Sequence, residues 1–126
     1  LYRPTPLIRA RRLEQALEVV EQASQEEEVR LFRYIASNGV MPVEKAAWMA
    51  SRFDLIGLSC DGPEAVQSRQ RPLRSGQSST AWLESTARLV HQAGKPLHVR
   101  VTVTPASMHQ QEEIAAYVCE QLVPQG

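Results

Sequence analysis

Cysteine is scarce in this chain: Cys60 and Cys119 are the only two among 126 residues. Two thiols so far apart make neither a disulfide framework nor a metal-site spacing. Net charge is missing as well, because 14 basic residues meet 14 acidic ones. The total carries no polyanion footprint, so nucleic acid is not the expected partner. Long apolar runs are absent: nothing approaches the roughly eighteen residues that cross a bilayer, and no basic-plus-apolar leader opens the sequence. The expectation is a cytoplasmic protein with no membrane partner. Internal repeats, low-complexity tracts and linkers are lacking too. Leu1 rather than Met comes first, and Val123-Pro124-Gln125-Gly126 stands where a new strand is expected, so both ends read as cut.

What is present has the composition of a globular domain, 43% hydrophobic and 22% charged. The length suits one domain and falls short of a complete (β/α) barrel of roughly 250 residues. Thr5 is placed to cap a helix with Pro6 at its first position. Leu7, Leu13, Leu17 and Val20 recur at helical spacing to about Glu28. Basic residues precede acidic ones along it, against the helix dipole, so packing must hold this helix. Glu26-Glu27-Glu28 reads as its solvated end.

Val29 to Ala36 is rich in β-formers and stops at Ser37-Asn38-Gly39, a strand and its turn. Val43 to Phe53 reads as a helix, Asp54 to Ser59 as a second strand, and a long loop follows through Pro63, Pro72 and Gly76. Thr80 to Ala93 is a helix ended by Gly94, Leu97 to Thr104 a third strand, and Gln110 to Leu122 a last helix. Strands alternating with helices call for βαβ crossovers, hence an α/β fold with a parallel sheet. The turns at the strand ends then gather Ser37, Asn38, Ser59, Asp61 and Thr104 on one rim.

Leu55-Ile56-Gly57-Leu58-Ser59-Cys60-Asp61-Gly62-Pro63 is the centre of the chain: a buried strand that breaks into a polar turn. Ligands in α/β folds sit at that end of a strand. Ser59 and Asp61, two apart on extended chain, point to the same face. Two readings stand: they are ligand-facing groups, or they simply end the strand, with Asp61-Gly62-Pro63 as turn chemistry. Arg69, Arg71 and Arg74 likewise form either an anion clamp or a solvated loop held by salt bridges. Gly57-Leu58-Ser59-Cys60-Asp61 comes within one residue of the Gly-x-Ser-x-Gly nucleophile elbow, with Asp61 in the place of the last glycine and Gly62-Pro63 where a helix should start. An α/β hydrolase with Ser59 as nucleophile is therefore the less favoured alternative. His91, His98 and His109 have no metal-site spacing, Cys60 suits a small apolar packing role, and Trp48 and Trp82 read as packing residues.

These motifs resemble radical S-adenosylmethionine enzymes, in particular the peptide-modifying, sulfatase-maturase-like branch with SPASM-type members. Ser37-Asn38-Gly39 matches the family's Thr-Asn-Gly-like end of the third strand. Ser59-Cys60-Asp61-Gly62-Pro63 matches Ser-x-Asp-Gly-Pro at the end of the fourth, Arg71 an Arg twelve positions after that Ser, and Val99 to Thr104 the fifth strand. Arg3-Pro4 stands where the family has Glu-Pro, without the preceding glycines. The resemblance covers about Ile35 to Leu122. It implies that residues 1–126 are a fragment of one core domain, a partial (β/α) barrel of about strands 3 to 5.

By the same resemblance, Ser59 and Arg71 hold the ribose and the methionine carboxylate of S-adenosylmethionine, with Asn38, Asp61 and Arg100 as second choices facing cofactor or substrate. A guanidinium fork suits a carboxylate. The parent enzyme would cleave S-adenosylmethionine at a 4Fe-4S cluster, supplied with electrons by a flavodoxin or ferredoxin, and the resulting radical would modify a peptide or protein. The family's Cys-x-x-x-Cys-x-x-Cys loop is not in this chain, so cluster ligands are expected outside it. A non-catalytic or truncated barrel scaffold binding a nucleotide-like ligand remains the other alternative.

Overall fold

A computed structural model describes residues 7–122, with side chains described from residue 11. The proposed Thr5 cap, Pro6 and Arg3-Pro4 lie outside the described residues. The elements are α1 (Leu7–Glu26), β1 (Tyr34–Ser37), α2 (Val43–Arg52), β2 (Leu55–Ser59), α3 (Glu64–Gln70), α4 (Thr80–Gln92), β3 (Leu97–Arg100) and α5 (Gln111–Tyr117). A 3-10 turn at Met108–Gln110 precedes α5, and a π-helical turn over Val118–Leu122 prolongs it. Among the described residues no helix is long and apolar enough to cross a membrane.

The three strands form one parallel sheet in the order β1-β2-β3. The central strand pairs Gly57 with Ala36 on one side and His98 on the other, and Ser59 with Arg100. Its two faces have opposite surroundings. Ile56, Leu58 and Cys60 are fully buried against Ala46, Met49 and Ala50 of α2 and Leu83, Ala87 and Val90 of α4. The spacing of those helical residues makes one apolar stripe on each helix. Each large side chain so buried contributes about 1.5 to 3 kcal/mol from the area removed from water.

The other face, alternate in register, carries Tyr34 and Ala36 on β1, Gly57 and Ser59 on β2, and His98 and Arg100 on β3. Here the edge-strand residues are exposed, Tyr34 by 42%. Tyr34 lies across Gly57, where any side chain would collide with its hydroxyl. A Cβ at 57 would have to push the Tyr34 ring aside, so it is close approach rather than backbone angle that glycine accommodates there.

α1 has no acidic residue in its first turn and no basic one in its last. It is held from outside: Leu17 enters the core, Glu14 bonds Arg52 at 2.9 Å and accepts the Trp48 indole N–H at 2.6 Å, and Glu21 joins Arg33 at 2.9 Å and Arg52 at 3.2 Å. Trp48 packs edge-on to Phe53, and Trp82, expected to pack, keeps 39% of its surface exposed on α4.

Four expectations shift. β1 begins at Tyr34 rather than Val29, because its partner β2 begins at Leu55 and the ladder starts there; Arg33 is held just outside it, its carbonyl accepting the Asp54 and Leu55 N–H groups. β3 ends at Arg100, opposite the last residue of β2, rather than at Thr104. The segment after Pro63, expected as loop, folds as α3. The last helix is three unlike turns rather than one regular helix.

Candidate functional site

At the end of β1, the Asn38 carboxamide oxygen accepts the Val40 N–H at 2.9 Å and Ser37 Oγ accepts that of Gly39 at 3.1 Å. Both are turn-forming uses of short polar side chains. The Thr86 hydroxyl of α4 donates to the Gly39 carbonyl at 2.7 Å, fastening this turn to the helical layer.

The end of β2 is more heavily built. Ser59, in register with Arg100, accepts a hydrogen bond from that guanidinium at 3.3 Å. Two residues on, Asp61 is only 1% exposed, and each of its oxygens has a donor. Oδ2 receives the Arg71 Nε–H at 2.6 Å; Oδ1 receives the Thr102 backbone N–H at 2.9 Å. Arg71 also donates from Nη2 to Thr102 Oγ1 at 3.2 Å, and Gln70 donates to the Thr102 carbonyl at 3.0 Å. Beyond the last ladder pair, then, side chains take over from strand pairing to hold the chain that leaves β3.

Gly62, at φ 138°, lets the chain turn from β2 into α3; a Cβ there would stand 2.8 Å from Ile114 of α5. That region of backbone space is open chiefly to glycine. Pro63 then leads α3, its carbonyl accepting from Val66 and Gln67. Cys60 packs inward, and burial pushes its thiol up to about 11.

Asp61 and Arg71 are thus brought together as an ion pair, and Ser59 and Arg100 as a hydrogen-bonded pair on the exposed sheet face. Asn38 stands at the end of the adjacent strand with its oxygen spent on its own turn. Of the arginine cluster, Arg71 alone faces this network: Arg69 reaches Gln110 at 3.2 Å and Arg74 is exposed in the loop. Gln67, Gln70, Ser79 and Thr102 also belong to the network and were missed by sequence reasoning. Gln67 and Gln70 sit on the unforeseen α3, and Thr102 lies past the end of β3, in a stretch whose composition reads as strand.

A strand-turn-helix now surrounds Ser59, which removes one objection to a hydrolase. The other stands: Asp61 occupies the place the elbow reserves for glycine, and the Ser59 hydroxyl bonds an arginine rather than a histidine.

The fold defines the class: a parallel α/β sheet with its helices on one face, a partial (β/α) barrel whose polar groups gather where the strands end. No family model and no curated protein matches the sequence. Solved structures do share the fold. The anaerobic sulfatase-maturating enzyme anSMEcpe with bound AdoMet and Kp18Cys peptide superposes with a TM-score of 0.74 at 18% identity, covering 85% of this chain and 30% of that one. The same enzyme with bound AdoMet alone gives 0.72 with equal identity and coverage. Its histidine-tagged form with bound AdoMet gives 0.73 over 28% of its length. This chain therefore spans less than a third of the solved enzymes it is similar to.

Proposed function

We propose that this chain is part of the core of a radical S-adenosylmethionine enzyme of the peptide-modifying, SPASM-type branch, and that it contributes cofactor-binding residues. Residues 1–126 are then one piece of a single barrel domain. The fold likeness to an AdoMet-bound enzyme supports the class. One observation carries the site: Arg71, twelve residues beyond Ser59 in sequence, is fastened at the strand-end rim by a 2.6 Å bond to buried Asp61.

The donor chemistry of the rim fits S-adenosylmethionine. Arg71 would hold the methionine carboxylate, and the Ser59 hydroxyl a ribose hydroxyl. Asp61, turned into the fold, acts on the ligand through Arg71 by fixing the guanidinium plane before binding, which lowers the ordering cost of recognition. Arg100 orients Ser59 from the exposed face. When bound, the cofactor would supply the radical that abstracts hydrogen from a peptide or protein side chain.

The residues here do not fit an iron-sulfur cluster. Cys60 is buried in the core, Cys119 is exposed at the far end of the chain, and no group of three or more His, Cys, Asp or Glu comes together among the described residues. Cluster ligands, a flavodoxin or ferredoxin as electron donor, and a cytoplasmic setting belong to the proposed parent enzyme.

Calorimetry of AdoMet binding to the full-length protein tests the assignment. Arg71→Ala should weaken it by about 1.5 to 3 kcal/mol, the scale of a charged hydrogen bond. Arg71→Lys keeps a charge beside Asp61 but loses the fork, and should show the same direction if the Ala variant fails to fold. Unchanged affinity in folded variants would remove Arg71 from the cofactor site.

A further inference from the structure

The ion pair at the rim is itself held by a residue with no part in it. Gln67, in the middle of α3, is completely buried, as is Ser79 at the start of α4. The Gln67 Oε1 accepts the Asp61 backbone N–H at 2.8 Å, and its Nε2 donates to Ser79 Oγ at 2.9 Å. Ser79 Oγ in turn donates to the Arg71 carbonyl at 3.2 Å, and the Arg71 N–H donates to the Gln67 carbonyl at 2.8 Å. An amide oxygen facing an N–H leaves no choice of orientation for this side chain.

We infer that Gln67 is a positioning residue for Arg71. Its carboxamide ties the backbone of Asp61 to the backbone of Arg71, so that both members of the ion pair are set by one buried group. Between them the chain runs through a turn, seven residues of α3 and a helix end. Without the bridge, the 2.6 Å Asp61–Arg71 contact would depend on the side chains alone. An apolar residue of the same size would leave the buried Asp61 N–H without its acceptor and take from the Ser79 hydroxyl its donor, and the easiest relief is movement of the loop that carries Arg71.

This inference rests on the reading of Arg71 as the carboxylate fork, and the experiment separates the two. Gln67→Met, similar in length and without strong hydrogen-bonding groups, is made in the full-length protein alone and together with Arg71→Lys, and AdoMet binding is measured in all four proteins. Gln67→Met should weaken binding about three- to tenfold where Arg71 is intact, the scale of one or two neutral hydrogen bonds. It should add less than about twofold once Arg71 is Lys, because coupled residues are not additive.

An equal loss in both backgrounds is what a merely structural role predicts, and it overturns the inference, as does no loss in either when Arg71→Lys by itself weakens binding. If Gln67→Met does not fold, Ser79→Ala removes the other end of the bridge and should weaken binding about twofold in the same Arg71-dependent way. A second readout needs no ligand: solvent exchange of the Arg71 Nε–H, followed by side-chain NMR, should quicken several-fold in Gln67→Met. Unchanged exchange overturns the positioning role. Quickened exchange in a protein whose Arg71→Lys variant binds AdoMet normally upholds the positioning of Arg71 and strikes only at its cofactor role.

Discussion

Asp61 joins three segments through one carboxylate, so removing it affects more than charge. Arg71 would keep its cation, 24% exposed at the side chain, and the Thr102 N–H would lose its acceptor. Breaking a buried pair costs about 3 to 5 kcal/mol, and the partial exposure of Arg71 puts Asp61→Ala near the lower end at about 3 kcal/mol in urea unfolding. A second residue-scale consequence concerns the thiols. Cys60 is in the core with its pKa raised to about 11 chiefly by desolvation, while Cys119 is exposed. The native chain should show one fast-reacting thiol toward a disulfide reagent, Cys119, and a second only on unfolding; Cys119→Ser should abolish the fast phase.

Acid stability is set partly by Asp54. Its carboxylate takes the Arg33 side chain first and the Arg33 backbone N–H second, and these hold it below its ordinary 3.8. Because the folded value is depressed, the stabilisation is fully present above the unfolded pKa and is lost as pH falls through the folded one. Asp54→Asn should therefore flatten the loss of stability seen below about pH 4 in an acid titration. Which carboxylates have such partners was not legible in the sequence, since Arg33 and Asp54 are 21 residues apart.

At the scale of elements, α3 explains most of what the sequence concealed. Seven residues are too few for a helical period to declare itself, and Pro63, Pro72 and Gly76 around them carry loop signals. Its start depends on Gly62, whose φ of 138° and closeness to Ile114 leave no room for a side chain. Gly62→Ala should cost about 1 to 3 kcal/mol as a lower thermal midpoint, part backbone strain and part displacement of α5. The strands show the opposite effect: Val29 to Arg33 and Val101 to Thr104 have strand composition without strand structure. β-propensity describes a side chain suited to a pleated surface, and a ladder exists only where a partner lies alongside.

At the scale of the molecule, the described helices cover one face of the sheet and, among the described residues, leave Tyr34, His98 and Arg100 exposed on the other. β1 and β3 are both edges among the described residues. Parallel sheets are ordinarily covered on both faces, and open edges invite pairing with other chains. The 126-residue chain expressed by itself should associate, detected as a concentration-dependent sedimentation coefficient; a monomer across that range would show that the open face is tolerated.

The alternation of apolar strands with amphipathic helices determined the α/β class and the parallel sheet, because period and connection length are local properties of the chain. The same is true of the polar strand ends, where Ser59 and Asp61 stand out in any reading. Only the tertiary structure decided what those ends do. Asp61 turns inward to Arg71 and Thr102, Ser59 meets Arg100, and Gln67 closes the loop between them, through contacts spanning up to 41 residues. Hydrogen bonds of that range depend on where the sheet register and α3 bring the donors, and neither is encoded at any one position.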